Sequence, residues 1–155
     1  MSDLSAILSI HAIDADMTAA NKKALLQQLA AAAGRLCGAS AKDIVASLNA
    51  REKIGSTGFG AGTAIPHGKI KGLTQVFGYF ARLEQPVDFQ AIDGMPVDLV
   101  FLLLSPPDAG AEHLKALAMV SRLLRHRPTL AKLRGARSKD ALFALLAGAE
   151  TRDAA

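Results

Sequence analysis

Tryptophan is missing from this 155-residue chain, and tyrosine and cysteine occur once each. With few aromatic rings to fill space, the core has to be aliphatic, built from Leu, Ile, Val and Ala. A single cysteine, Cys37, cannot form an internal disulfide. It stands among Ala and Gly, far in sequence from any candidate base, so a buried packing thiol is expected rather than a nucleophile. No apolar run approaches the roughly 18 residues that a membrane span needs. The opening MSDLSAILSIHAID has no basic stretch before its apolar part, and Asp14 and Asp16 close that part early. It does not read as a signal peptide, and the expectation is a reduced cytoplasmic protein without membrane insertion. Tight ligand pairs such as HxH or HExxH are also missing, so no metal is expected.

What is present describes a folded globule. Half of the residues are hydrophobic and 21% are charged. The length suits one domain spanning 1–155, with a tail near 150–155 expected to fray. Net charge is +4 and unevenly spread: the stretch from Lys115 to Lys139 holds eight Lys or Arg and no acid. Phosphates attract such a surface. Interleaved aromatics and any nucleic-acid motif are lacking, however, so a solvated helix face without nucleic acid is the better reading.

Periodicity predicts a helix over Thr18–Ala33, with Leu25, Leu26 and Leu29 as its stripe and Gly34 as its stop. Ser40 with Asp43 resembles a capping box for a second helix carrying Ile44, Val45 and Leu48. Six glycines and one proline between Gly55 and Gly72 argue for a long shaped loop with short strand pieces. Strands are expected at Val76–Arg82 and Val97–Leu104, the latter buried on both faces. Pro86, Asp93-Gly94 and Pro96 mark turns between them. A helix follows from about Ala109 to His126 with Leu114, Leu117, Val120, Leu123 and Leu124 inward and Pro128 ending it. Short helices are expected near Thr129–Leu133 and Ser138–Leu146. This order predicts a single-domain α/β sandwich, a small mixed β-sheet with helices on both faces.

Of four histidines, His11 and His126 need no role beyond surface or packing. His67 differs, because it closes the run GSTGFGAGTAIPHG. Pro66 fixes its own φ and biases Ile65 towards extended backbone, so the chain reaches the imidazole stiffly. Gly68 removes side-chain bulk, so that another backbone, or a phosphate, is expected to approach closely there. The glycines fit neither the phosphate-binding loop nor the dinucleotide pattern, since Thr63 stands where each needs a glycine. A glycine-rich turn with an incidental histidine remains an alternative.

Arg51-Glu52, Gly55-Ser56-Thr57-Gly58 and Ala64-Ile65-Pro66-His67-Gly68 together resemble the active-site signature of enzyme IIA domains of the bacterial phosphotransferase system, fructose/mannitol class (type 2). The likeness continues through Pro86-Val87-Asp88-Phe89, Ala91-Ile92-Asp93-Gly94, Pro96 to Val100 and Glu112-His113-Leu114, in order and over nearly the whole chain. Thr63 departs from it, an aliphatic residue being more usual there. The resemblance implies that His67 is the phosphorylated histidine, His113 a second active-site histidine and Arg51 a nearby cation. For His113, the start of the Ala109–His126 helix suggests a place near solvent where a helix dipole favours an anion. The resemblance further implies an HPr-type phosphocarrier as donor and no cofactor. The free-standing chain is most like the nitrogen-regulatory branch, whose phosphorylation state signals to a downstream regulatory or transport protein. Two alternatives stand beside it: a sugar-specific IIA serving a separate IIB subunit, and a binding module in which His67 is dispensable.

Overall fold

The computed structural model of the protein describes residues 4–154, with side chains described through residue 148. Among the described residues, five α-helices pack against a mixed sheet of six strands: β1 (Ile13–Met17), β2 (Gly58–Gly60), β3 (Thr63–Ala64), β4 (His67–Lys69), β5 (Phe77–Val87) and β6 (Val97–Ser105). The helices are α1 (Lys22–Cys37), α2 (Ala41–Ile54), α3 (Gly110–Arg125), α4 (Arg127–Gly135) and α5 (Lys139–Ala154). The tail expected to fray falls in the last turn of α5 and just past it; Ala155 lies outside the described residues.

The sheet runs β1-β5-β6-β3-β2, with β4 also paired to β6. Strand β6 is the axis. It pairs antiparallel with β5 on one side and parallel with both β3 and β4 on the other. Its residues from Leu99 to Ser105 are all buried, which a two-period strand permits only when both sheet faces are covered. Helices α1 and α2 pack on each other, while α3, α4 and α5 form a second group. The expected α/β sandwich is therefore the fold. Among the described residues, no helix is long and apolar enough to cross a membrane.

Several local expectations shift, each for a physical reason. The first helix starts later and ends later than Thr18–Ala33. The Asn21 side chain accepts from the Ala24 N–H, and Gly38, not Gly34, takes the left-handed conformation (φ 82°) that ends the helix. Ser40 does cap α2, accepting from the Asp43 N–H at 3.4 Å. Pro86 marks no turn. It lies in β5, in the stretch between Arg82 and Val87 where the pairing with β6 slips register. Pro128 does not end α3, which stops at Arg125; it sits in the first turn of α4, where a missing N–H is harmless. No strand was expected at Ile13–Met17, yet this alternating segment adds the parallel edge strand β1 beside β5. Cys37 is half-buried rather than fully buried, at the last turn of α1.

In α3, Val120, Leu123 and Leu124 are buried as expected and Leu117 packs half-buried against the core. The first turn differs: His113 is buried while Leu114 is 65% exposed. Thr63 is fully buried and its hydroxyl donates to the Gly60 carbonyl at 2.7 Å, so a polar atom in an aliphatic slot is satisfied internally. The basic stretch spreads over α3, α4 and the start of α5 at exposed positions. Arg134 within it is tied down, bonding both carboxylate oxygens of Asp98 and the Ala61 carbonyl.

Candidate functional site

Proline creates the place where His67 sits. Strand β3 runs beside β6 at Leu99 and Val100, and β4 resumes the same pairing at Leu103 to Ser105. Pro66 lies between the two pieces with no N–H to offer, while its carbonyl still accepts from the Leu103 N–H at 3.0 Å. The chain is thus held against a fully buried strand on both sides of the imidazole.

Helix α2 packs over β4 and fixes it from above. The Ser47 hydroxyl donates to the Lys69 carbonyl at 3.1 Å. Four residues on, one helical turn along the same face, Arg51 reaches the histidine: its Nε–H donates to His67 Nε2 at 3.2 Å. Its Nη1 donates to the Gly55 carbonyl at 2.9 Å, which holds the guanidinium beside the glycine loop. The next residue, Glu52, accepts from the Thr57 N–H at 3.0 Å and from the Thr57 hydroxyl, and pairs with Lys22 at 2.9 Å. Arg51 therefore touches the ring while Glu52 anchors the loop leading to it.

Gly68 does admit a close approach, but from helix α2 and not from a phosphate. The space beside it is not open for an incoming group; Ser47 occupies it, and a β-carbon at Gly68 would collide with the Ser47 hydroxyl. Glycine is required there so that α2 can close on β4.

The second histidine comes from the other side. His113 is 8% exposed, so it does not sit near solvent as its sequence position suggested. Its ring centroid lies 5.5 Å from that of His67, the planes tilted by 49°. Its Nδ1 lies 2.6 Å from the hydroxyl oxygen of Ser105, the last residue of β6. The three residues singled out from the sequence, His67, His113 and Arg51, thus converge on one spot. Ser47 and Ser105 were not anticipated. The first could have been found four positions before Arg51, the second as the hydroxyl that ends VDLVFLLLS. His11 stays apart in a short 3-10 turn, and His126 joins α3 to α4 with its Nδ1 2.7 Å from the Thr129 hydroxyl.

The hydrogen bonds define the state of the His67 ring. A carbonyl can only accept, so the 2.8 Å contact between Nδ1 and the Ile65 carbonyl places the proton on Nδ1. Nε2 then carries the lone pair, in agreement with its accepting from Arg51. Burial holds the imidazole below its ordinary value of 6.5, and the Arg51 charge pushes the same way, against the Ile65 bond and Glu52. His113 is also held below 6.5, chiefly by burial, then by His67 and Lys69. Both rings therefore favour the neutral form at pH 7, with the Nε2 lone pair of His67 facing the Arg51 guanidinium.

Known proteins are similar to this chain in sequence and fold. The model of the family described as phosphoenolpyruvate-dependent sugar phosphotransferase system, EIIA 2, matches residues 6–149. A nitrogen regulatory protein of Bradyrhizobium diazoefficiens is 52% identical over 127 residues, covering 82% of this chain and 83% of its own. The crystal structure of the nitrogen regulatory protein IIA-Ntr from Neisseria meningitidis superposes with a TM-score of 0.88 at 38% identity, covering 92% of this chain and 98% of that one. The fold is also that of enzyme IIA of the Escherichia coli mannitol system, solved in complex with phosphorylated enzyme IIB (TM-score 0.77, 21% identity, 91% and 97% covered). The chain belongs to the type-2 enzyme IIA family of the phosphoenolpyruvate-dependent sugar phosphotransferase system.

Proposed function

We propose that the protein is a phosphohistidine carrier that takes a phosphoryl group on Nε2 of His67 from an HPr-type protein. Its phosphorylation state then signals to a downstream regulatory or transport protein. The observation that carries this reading is the pair of bonds on one ring: Nδ1–H to the Ile65 carbonyl and Nε2 beside Arg51. A nucleophile of fixed tautomer under a guanidinium suits transfer of a group that brings negative charge.

In the transfer, Nε2 forms a bond to phosphorus as the phosphorus–nitrogen bond of the donor histidine breaks, and the electron pair of that bond returns to the donor ring. The positive charge that develops on the His67 ring is shared with the Ile65 carbonyl through Nδ1–H. Arg51 leaves the Nε2 lone pair as the phosphoryl group arrives and turns its remaining N–H groups to the phosphoryl oxygens. His113 offers a second donor from its side of the cleft. No step calls for a cofactor.

Two features favour protein partners. Ile54, three residues beyond Arg51, is 82% exposed, and Leu114, next to His113, is 65% exposed. Exposed apolar side chains beside a reacting group fit transient docking of another carrier. The nitrogen-regulatory relatives favour signalling over sugar uptake; the fold shared with the mannitol IIA keeps a IIB subunit as the other acceptor.

Incubation with a phosphorylated HPr-type donor and intact mass measurement tests the proposal. One phosphoryl mass should appear, labile in acid and stable in base, and none on His67→Ala. Undiminished labelling of His67→Ala would sink the assignment.

A further inference from the structure

The contact between Ser105 and His113 is unusual for its setting. Ser105 is fully buried and His113 nearly so. Both are polar, and Ser105 ends an otherwise continuous apolar strand. The backbone of Ser105 is engaged separately, its carbonyl accepting from the Ile70 N–H at 2.8 Å, so the side chain is free to serve the histidine alone.

The sense of the 2.6 Å bond follows from satisfying both partners. Suppose Nδ1–H of His113 donated to the hydroxyl. The Ser105 proton would then need an acceptor of its own, and among the described residues the hydroxyl has no other partner. A buried hydroxyl proton left without an acceptor is strongly unfavourable. In the reverse sense the hydroxyl donates to Nδ1 and both of these atoms are satisfied.

We infer that Ser105 is a positioning residue which holds His113 in the Nε2–H tautomer, so that this ring meets the phosphoryl group on His67 as a hydrogen-bond donor. The two histidines are thereby set as opposites. His67 carries its proton on Nδ1 and attacks with Nε2, whereas His113 accepts on Nδ1 and donates from Nε2. A carbonyl fixes the first tautomer and a hydroxyl the second. Without such control His113 could present a lone pair to the incoming phosphoryl oxygens, which would repel them. This assignment rests on the proposed phosphoryl transfer only for its kinetic consequence; the tautomer is a property of the unmodified protein.

The test has two arms. In nitrogen-15 histidine spectra of the unphosphorylated protein at pH 7.5 (a chosen condition, roughly a unit above the free imidazole value), His113 should show Nε2 protonated and Nδ1 bare. In Ser105→Ala the two tautomers should mix, and Ser105→Thr, which keeps the hydroxyl, should restore the single form. In the second arm, phosphoryl uptake from the HPr-type donor should slow by roughly five- to tenfold in Ser105→Ala, the size of one hydrogen bond's net contribution, and recover in Ser105→Thr. A merely structural serine would change the melting temperature while leaving the His113 spectrum alone. Nδ1–H on His113 in the native protein, or an unchanged spectrum in Ser105→Ala, would overturn the assignment. Normal uptake by Ser105→Ala would overturn its kinetic part. If the native protein takes up no phosphoryl group at all, it is the function that fails, and the spectra still decide the tautomer.

Discussion

The two halves of the site are built on opposite plans. The His67 half is a short loop clamped from outside: α2 closes over β4 through Ser47 and Arg51, and the imidazole stays half-exposed. The His113 half is internal: a helix residue turned into the core and met by the last side chain of the central strand. The half-exposed ring is held by the Ile65 carbonyl and the Arg51 guanidinium. The buried ring is locked by a hydroxyl from the central strand. The contrast teaches that presentation and orientation are assigned to different elements, so mutations on the two sides should fail differently.

The sharpest break should come from His113→Ala. His67 remains, so phosphoryl uptake should persist, but slower by ~10²–10³ as expected for loss of one preorganised donor. Because His113 is buried, this variant should also lose about 1–3 kcal/mol of stability through the unpaired Ser105 hydroxyl. Stopped-flow or quench kinetics together with thermal melts would check both. An unchanged melting temperature would contradict the burial, and normal rates would reduce His113 to packing.

Gly68→Val attacks the other half through its clamp. The new side chain must displace Ser47, so a loss of about 1–3 kcal/mol is expected from overpacking, with slower uptake as Arg51 shifts along with α2. Gly68→Ala combined with Ser47→Gly should recover most of the stability. If it does not, the close approach of α2 is not what requires glycine.

Arg51→Lys keeps the charge and loses the fork that spans Gly55 and His67. Uptake should slow about tenfold, equivalent to ~1.4 kcal/mol, with little change in melting temperature. A melting point that falls as far as that of Gly68→Val would make Arg51 a structural clamp instead.

The smallest effect is on pH. Both imidazoles titrate below 6.5 in the folded protein, so the unfolded chain binds more protons in that range. Stability should be level above pH 6.5 and fall as pH drops from there towards the folded values. Uptake should persist at pH 6.5, where a free imidazole is half protonated. A melting temperature that rises on acidification from pH 7 to pH 5.5 (roughly a unit either side of the free imidazole value) would reverse the sign and refute the burial argument.

Much of this was legible in the sequence, for reasons that differ by residue. VDLVFLLL announced a strand buried on both faces because an apolar run this short, bounded by Pro96 and Pro106-Pro107, suits a buried strand better than a helix. His67 stood out because proline and glycine flank it, and both leave a mark in sequence. His113 was placed on the right helix but given the wrong surroundings. Leu114 is the more apolar neighbour and was assigned inward, yet the hydroxyl of Ser105 makes the imidazole the better buried partner. At Gly68 the sequence left open whether a backbone or a phosphate comes close, and it is helix α2 through Ser47 that does, since a glycine reports an approach without saying of what. The strand Ile13–Met17 escaped notice although it alternates apolar and polar residues, because five residues are a short run and its place comes from β5, a partner far along the chain.

The clamp around Pro66 also has a kinetic meaning. Its partners on β6 lie far downstream, His67 opposite Leu103 and Lys69 opposite Ser105, and His113 arrives later still. Such distant pairings are slow to form, because the long loop between them must close before any contact rewards it. A ribosome-bound chain emerging as far as α2 and the glycine loop therefore carries Arg51 and His67 but not the strand that aligns them. Competence to take up a phosphoryl group should appear only after α3 has been synthesised and docked. During refolding from denaturant, the onset of labelling should coincide with burial of β6 and not precede it, which makes the chemistry of one imidazole a clock for completion of the sheet.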